Sequence, residues 1–490
     1  MERPGHRLRG RRQETSTAGS GGRPGLRRPR WGPVVGFGLV SLATDMVSDG
    51  ARPLGGPLLA QLGASALFVG LVTGAAEAAS QGLRVVFGPW ADRTGKYWNF
   101  TMTGYALTVV CVPLLALTPL AGSAGLALAA VLIIGDRVGK AVRSPAKTVL
   151  LAAVATPVGR GRGFAVHKSL DLAGALLGPL LVSAVLVATG SLPAAFAVLV
   201  IPAVAALAIL VWLRRRIRDP GADTAASDAG PVGFPPPGAA VPDAVPGSAP
   251  SAAVPDAAPG SVPNSVVQDA APGSVPAGGT TAGRPPSVFS GVFILLAAAA
   301  FFWSAGLVAF GVISYHLTAS VAVPVAVVPL LYAAAMGAAA VGALASGVLY
   351  DRAGAAVLLA LPVLIAGVPV LALAPSAGLV LAGVLIWGAA TGIQDSTVKA
   401  LIADLVPQPR QGTAYGVFAA FEGAGALVGG ALYGALYGAR PALIMAVAAL
   451  QAAALVLLLM TLRRARPSAA HGPANGRPSA PRPTPRRNGP

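Results

Sequence analysis

Apolar residues run along this chain in blocks of roughly twenty or more, broken by short clusters of glycine, proline and charge. Six blocks lie near 33–56, 66–90, 98–118, 124–155, 163–188 and 193–213, and six more near 287–316, 324–349, 356–374, 378–405, 413–436 and 441–462. An α-helix needs ~20 such residues to cross a bilayer. The runs are continuous rather than alternating, and backbone groups in lipid must be paired, so the pattern predicts helices and not barrel strands. The expected fold is an all-α membrane protein of twelve transmembrane helices in two pseudo-symmetric six-helix bundles.

This pattern divides the chain into a basic arm (1–32), a first bundle (33–213), a linker (214–286), a second bundle (287–462) and a basic tail (463–490). The linker is rich in Pro, Ala, Gly, Ser and Asp and repeats itself as "VPDAVPGS" at 241, "VPDAAPGS" at 254 and "VQDAAPGS" at 267. Such material buries too little apolar surface to offset its ordering entropy, so arm, linker and tail are expected to be disordered. The bundles echo each other: Gly88 and Gly347, Gly135 and Gly388, and Gly178 and Gly429 recur at offsets of 259, 253 and 251 residues. A duplicated unit of this kind marks carriers whose halves rock around a midplane site.

Composition agrees with a membrane setting. Of 490 residues 54% are hydrophobic and 11% charged, with mean hydropathy +0.68, whereas soluble domains carry roughly 25% charged residues. The net charge of +18 comes from arginines in the arm (Arg3, Arg7, Arg9, Arg11, Arg12, Arg23, Arg27, Arg28 and Arg30), in Arg214 to Arg218 and in the tail. These basic segments lack interleaved aromatics, which argues against nucleic acid as a partner. Charge gathers on one set of links, at 92–97, 158–162, 351–353 and 408–411, so the positive-inside rule expects both termini in the cytoplasm and a cell-membrane location. Cys111 is the one cysteine, so no internal disulfide is possible.

The short links carry the clearest motif. "GPWADRTGK" at 88–96 sets Gly88, Asp92, Arg93, Gly95 and Lys96 where a span ends, and a shorter copy places Gly347, Asp351, Arg352 and Gly354, with Ala355 in place of the last base. Gly88 would permit close helix packing, and Asp92 could accept from free backbone donors at a neighbouring helix N-terminus. A plain inside-positive turn would explain one copy but not two at symmetric positions. These residues resemble the signature of the major facilitator superfamily, and the similarity covers the chain apart from tails and linker. The resemblance implies that Asp92 latches the outward-facing state against the eleventh span, while Arg93 and Lys96 pair with acids or lipid phosphates.

Two further stretches, "GDRVGKAVRSPAK" (Gly135 to Lys147) and Gly392 to Phe418, resemble a prokaryotic exporter-like branch that includes members implicated in drug or nickel resistance. "ALLGPLL" resembles the family's antiporter motif through Gly174, Gly178 and Pro179, a helix-packing motif, but has Val182 and Ser183 where that motif closes on a glycine pair.

Charges inside spans each cost ~2.5 to 3.5 kcal/mol at a helix centre and need a partner or water. Asp45, Asp49 and Arg52 share one helical face by spacing, and Glu77, Gln81 and Arg84 another. The fourth span carries Asp136, Arg137, Lys140, Arg143 and Lys147, a polar face for a central path whose lower members, Arg143 and Lys147, could equally anchor at the cytoplasmic rim. In the tenth span Asp395 and Lys399 stand at i, i+4 beside Gln394 and could pair with each other. These are the candidate proton and substrate path. Glu422 and Asp171 read as interhelix pairs, and His316 as a solvated or capped histidine near an outer helix end.

Other chemistry lacks support. The sequence has no Gly-x-x-x-x-Gly-Lys-Ser/Thr loop for ATP, and four scattered histidines with one cysteine give no clustered metal site. No enzyme activity and no cofactor is expected. The expected function is a secondary transporter that exports a small molecule in exchange for protons, acting as a monomer among membrane lipids. Sodium as coupling ion, an importer of an anionic metabolite and a non-transporting sensor or scaffold stay open as alternatives.

Overall fold

The structure, a computed structural model, describes residues 31–217, 290–407 and 410–465. The linker repeats and most of the basic arm and tail lie outside the described residues, while helices begin at Gly32 and continue to Arg216 and Ala465, a few residues into the segments expected to be disordered. Every element described is helical: α1 (Gly32–Ala51), α2 (Gly55–Gln61), α3 (Ala66–Gly82), α4 (Arg84–Thr94), α5 (Tyr97–Leu114), α6 (Gly125–Ala155), α7 (Arg160–Thr189), α8 (Leu192–Ala197) and α9 (Val200–Arg216) in the first half. The second half holds α10 (Gly291–Gly306), α11 (Phe310–Ala319), α12 (Val328–Ala353), α13 (Ala360–Ala372), α14 (Ala377–Leu405), α15 (Gln411–Ala435) and α16 (Arg440–Ala465). Short 3-10 turns join several of them.

Among the described residues ten segments are long and apolar enough to cross a membrane. Two of these, Tyr97–Val158 with 62 residues and Val325–Ala372 with 48, are far longer than the ~20 residues of one crossing. The first leaves helical geometry at Gly122 (φ 56, ψ −128). Beyond it α6 runs back along α5, with Gly104 against Gly139 and Arg143, and Gly135 against Cys111. The second breaks at Gly354 (φ 61, ψ −154).

Glycines set the closest helix contacts, as expected where small residues let backbones approach. In the first half Gly174 and Gly178 of α7 rest on the backbone of Leu42 and Met46 in α1, so the two helices run parallel. The second half repeats this with Gly425 and Gly429 of α15 on Phe301 and Ala305 of α10. Between the halves, α3 and α15 form an antiparallel seam: Gly70 meets Gly430 and Gly434, Gly74 meets Ala426, and Gly423 meets Ala78 and Gly82. Gly88 and Gly347, by contrast, have no atom nearer than 3.9 Å to where a Cβ would lie. The expected close packing at Gly88 is therefore absent, because Pro145 stands at ordinary contact distance.

The motif's second glycine has the clearer local role. Gly95 ends α4 with φ 63 and Gly354 ends α12 with φ 61, a left-handed region that a Cβ disfavours. Both motif copies thus terminate a helix at their second glycine.

Several spans expected to be continuous are divided, two of them beside each other in the middle of the molecule. Pro53 replaces the end of α1 by a 3-10 turn over Arg52–Leu54. In the second half the chain is extended at Leu307 (φ −84, ψ 110), so α10 ends at Gly306 and α11 begins at Phe310. Freed carbonyls inside a membrane require new donors. Tyr433 Oη donates to the Gly306 carbonyl at 2.7 Å and Trp387 Nε1 to that of Val308 at 2.8 Å.

Candidate functional site

The two interruptions face each other. Arg52 and Gly55 from the first and Ala309, Phe310 and Gly311 from the second line a cavity of about 530 Å³, counting the space at its mouth. Among the described residues its charged lining, Arg52, Glu77, Asp136 and Arg137, comes entirely from the first half, and the second half adds apolar surface. Positive and negative groups balance there, so each helix carries its charge against a partner.

Arg52 is the centre of this arrangement. It ion-pairs with Glu77 of α3 through Nη2 and lies 3.9 Å from Asp49. Its Nη1 donates to Tyr332 Oη at 3.4 Å, and Tyr332 Oη donates to Asp49 Oδ1 at 3.0 Å. Tyr332 belongs to α12, so this network ties the halves together. Nearby, Ser48 Oγ donates to Asp136 Oδ1 at 3.0 Å, and Arg137 Nε stands 3.7 Å from Asp136. The halves also meet where Gly56 packs on Gly311, Ser314 and Tyr315, and where Ser183 Oγ donates to the Ala326 carbonyl at 2.7 Å. All these contacts lie toward one end, called here the bare face because its links carry little charge.

Toward the other end, the basic face, the halves part. The side chains of Asp395 and Lys399 on α14 are 79% and 65% exposed, and that of Lys168 on α7 is 77% exposed. Asp395 faces Lys168 and Arg84 across the gap without an ion pair to either, its nearest cation being Lys399 at 3.9 Å. α4 and α15 stay in contact there, with Val85 at 3.4 Å from the Cβ position of Gly416.

The remaining candidates separate into distinct places. Asp45 does not join the cavity lining; it faces Asp171 of α7 and Lys140. Asp171 pairs with Lys168 of its own helix at 2.8 Å. Lys140 is near Asp49 as well as Asp45. Arg143 belongs neither to the path nor to the rim: it is 4% exposed, donates to Thr108 Oγ1 at 2.7 Å and covers the Tyr105 ring at 5.0 Å. Lys147 Nζ donates to Ser41 Oγ at 3.0 Å. Gln394 Nε2 donates to Glu422 Oε1 at 2.6 Å, joining α14 to α15. Between Glu77 and Arg84 the helix has only a turn at Leu83 that keeps right-handed helical angles (φ −70, ψ −12), so Arg84 stands two turns beyond Glu77 on the same span.

His316 lies in the last turn of α11, and of the two expected settings it has the capped one. It is 8% exposed rather than solvated, held by Tyr437 Oη at 2.8 Å from Nδ1 and by the Ala374 carbonyl at 3.0 Å from Nε2. In the motif, Asp92 is exposed and accepts from Tyr97 Oη at 3.2 Å. Arg93, Lys96, Asp351 and Arg352 are also exposed. The neighbouring Tyr350 donates to Asp404 Oδ2 at 2.6 Å.

Sequence reasoning missed Tyr332, Ser48 and the carbonyl-capping pair Trp387 and Tyr433. Pro53 among Gly50, Gly55 and Gly56 was a usable signal for the first interruption. Single aromatic residues in long apolar runs carried none.

A helical membrane protein with two glycine-packed halves around an inter-half cavity defines the class of multi-pass carriers. The Major Facilitator Superfamily profile matches residues 37–315 and 292–488, and the chain belongs to that family of transporters. An uncharacterized protein of Mycobacterium tuberculosis is 42% identical over 452 residues, 91% of this chain and 98% of the relative. The crystal structure of the nucleoside transporter NupG has a TM-score of 0.56 at 12% identity, covering 89% of this chain and 99% of that one. The crystal structure of a D-xylose-proton symporter has a TM-score of 0.58 at 12% identity, covering 87% and 95%. At such identities these two structures speak to fold alone.

Proposed function

We propose that the protein is a secondary active transporter that exports a small molecule in exchange for protons by alternating access. The observation that carries this reading is the inter-half cavity, with the halves tied at the bare face by the Tyr332, Asp49 and Arg52 network and with Asp395 and Lys399 exposed at the basic face. With the basic face in the cytoplasm, as the positive-inside rule expects, this is the inward-open state. Each of the two overlong segments then supplies two crossings, giving twelve in two bundles of six, in the cell membrane and as a monomer.

Coupling would run through Arg52. Protonating Asp49 or Glu77 removes a charge that holds Arg52 in the seal, which frees the bare face to open and links proton loading to that movement. The motif around Asp92 and its copy at Asp351 would latch the opposite state, in which the basic face is shut. Export is supported by the resemblance of Gly135 to Lys147 and Gly392 to Phe418 to exporter-like members. One observation favours a second reading, import of an anionic metabolite: the shielded Nε of Arg84, toward the basic face, has no hydrogen-bond partner among the described residues.

The test uses the full chain in vesicles with an imposed pH gradient and a compound panel. Flux should collapse with the gradient and with Asp49→Asn or Glu77→Gln. Flux indifferent to both would end the proton-coupled reading.

A further inference from the structure

Among the described residues Arg84 has no ion-pair partner within 4 Å. It opens α4, seven residues beyond Glu77 toward the basic face, roughly 10 Å along the helix axis. Its Nε is shielded from solvent and has no hydrogen-bond partner. Glu77, Asp395 and Glu422 face it only at longer range, as does the like-charged Arg143. On the opposite wall Gln394 gives its Nε2 to Glu422 and leaves a shielded Oε1 unpartnered. Two halves thus present an unused donor and an unused acceptor to the same region.

The position of Arg84 is fixed by packing. Its flanking residues sit on α15, Gly82 against Gly423 and Val85 against Gly416. The side chain is only partly exposed and its Nε is shielded without a partner, so an anion that met the guanidinium would supply a contact that water does not reach. That anion can come from outside, or from Glu422 and Asp395 when the basic face closes empty.

We propose that Arg84 binds an oxyanion group, a carboxylate or phosphate, of a ligand entering from the basic face, with Glu422 as its internal competitor. The ligand lies on the way to the central cavity, so a cargo molecule would meet Arg84 before Arg52. Guanidinium suits this task because its planar donors match oxyanion geometry. The site deepens the transport reading and rests on it for the statement that the bound anion belongs to the cargo; the binding itself needs no turnover.

The experiment follows thermal unfolding of the purified full chain in neutral detergent, titrated with sodium acetate or inorganic phosphate against sodium chloride at matched ionic strength. A saturable rise in the midpoint is expected with one or both oxyanions. Arg84→Gln should weaken apparent affinity at least tenfold, Arg84→Lys should keep part of it, and Glu422→Gln should tighten it several-fold by removing the competitor. Equal responses of the wild type and Arg84→Gln, or weaker binding in Glu422→Gln, overturn the site. Repeating the titration in nanodiscs assigns the source. Loss of the response in phosphatidylglycerol but not in phosphatidylcholine identifies a lipid headgroup as occupant, and a response retained in both identifies a free solute; each supports the oxyanion site. Vesicle flux that persists in Arg84→Gln although its anion binding is lost overturns the statement that the bound anion belongs to the cargo, while leaving the carrier intact. Anion binding without flux of any compound refutes the carrier reading and leaves the site.

Discussion

The hydroxyl of Tyr332, on the second half, donates to the Asp49 carboxylate of the first half at 3.0 Å. Tyr332 is fully buried, and its ring packs 4.8 Å from Phe310 and 6.4 Å from Trp387. Tyr332→Phe keeps these ring contacts and deletes two hydrogen bonds with charged groups, the one to Asp49 and the longer one from Arg52 Nη1 at 3.4 Å; the first alone is worth about 1.5–3 kcal/mol. The sealed bare face should therefore lose at least about tenfold in relative population. Ser314→Cys in a Cys111→Ala background reports this through its reaction with a membrane-impermeant maleimide added on the bare-face side. Labelling should accelerate in Tyr332→Phe, and an unchanged rate would mean that the hydroxyl does not hold the seal.

The Arg52–Glu77 pair makes a different kind of prediction, because both side chains are only about a quarter exposed (23% and 25%). Removing one member leaves a charge in a poorly solvated place, whereas removing both does not. Glu77→Gln alone should lower the unfolding midpoint, and the double variant Arg52→Gln with Glu77→Gln should recover much of the loss. A double-mutant cycle should give a coupling of about 1–3 kcal/mol. Additive losses would show that the two groups act independently.

Glycine packing separates residues that look alike in sequence. A methyl group on Gly178 would stand 2.8 Å from Met46 Cα, while one on Gly88 would stand 3.9 Å from Pro145. Gly178→Ala should therefore cost about 1–3 kcal/mol, as overpacking does, and Gly88→Ala less than about 0.5. Gly95→Ala should cost about 1–2 kcal/mol for its positive φ. Thermal unfolding of the three variants side by side gives the order, and a Gly88 effect as large as that of Gly178 would contradict this packing.

Those contrasts show what the amino-acid pattern carries and what it lacks. Apolar runs located the helical segments because each run must satisfy its backbone internally, and the paired motif located the helix ends at Gly95 and Gly354. Charged positions such as Arg52, Glu77, Asp136 and Arg137 were legible as a polar lining because charge in a span demands a partner. Their partners were not legible. Tyr332 looks like any aromatic residue in an apolar run, and Arg143 has the spacing of a path residue yet lies against Tyr105 and Thr108. The break after Gly306 was hidden for a similar reason: its stabilising donors, Tyr433 and Trp387, are over seventy residues away.

Asp92 and Asp351 occupy matching places with unequal surroundings. Asp92 is exposed and accepts from Tyr97 Oη, across the turn that ends its helix, at 3.2 Å. Such an exposed bond contributes little, so Asp92→Asn should leave the unfolding midpoint of this state nearly unchanged. Any loss of flux must then arise in the state where the basic face is closed, which is where a latch would act. The second copy lacks the final base, having Ala355, and its neighbour Tyr350 ties α12 to Asp404 independently of Asp351. Asp351→Asn should therefore reduce flux less than Asp92→Asn in the vesicle assay. Equal reductions would remove the asymmetry between the copies, and a fall in stability that matches the fall in flux for Asp92→Asn would replace the latch with a simple structural role.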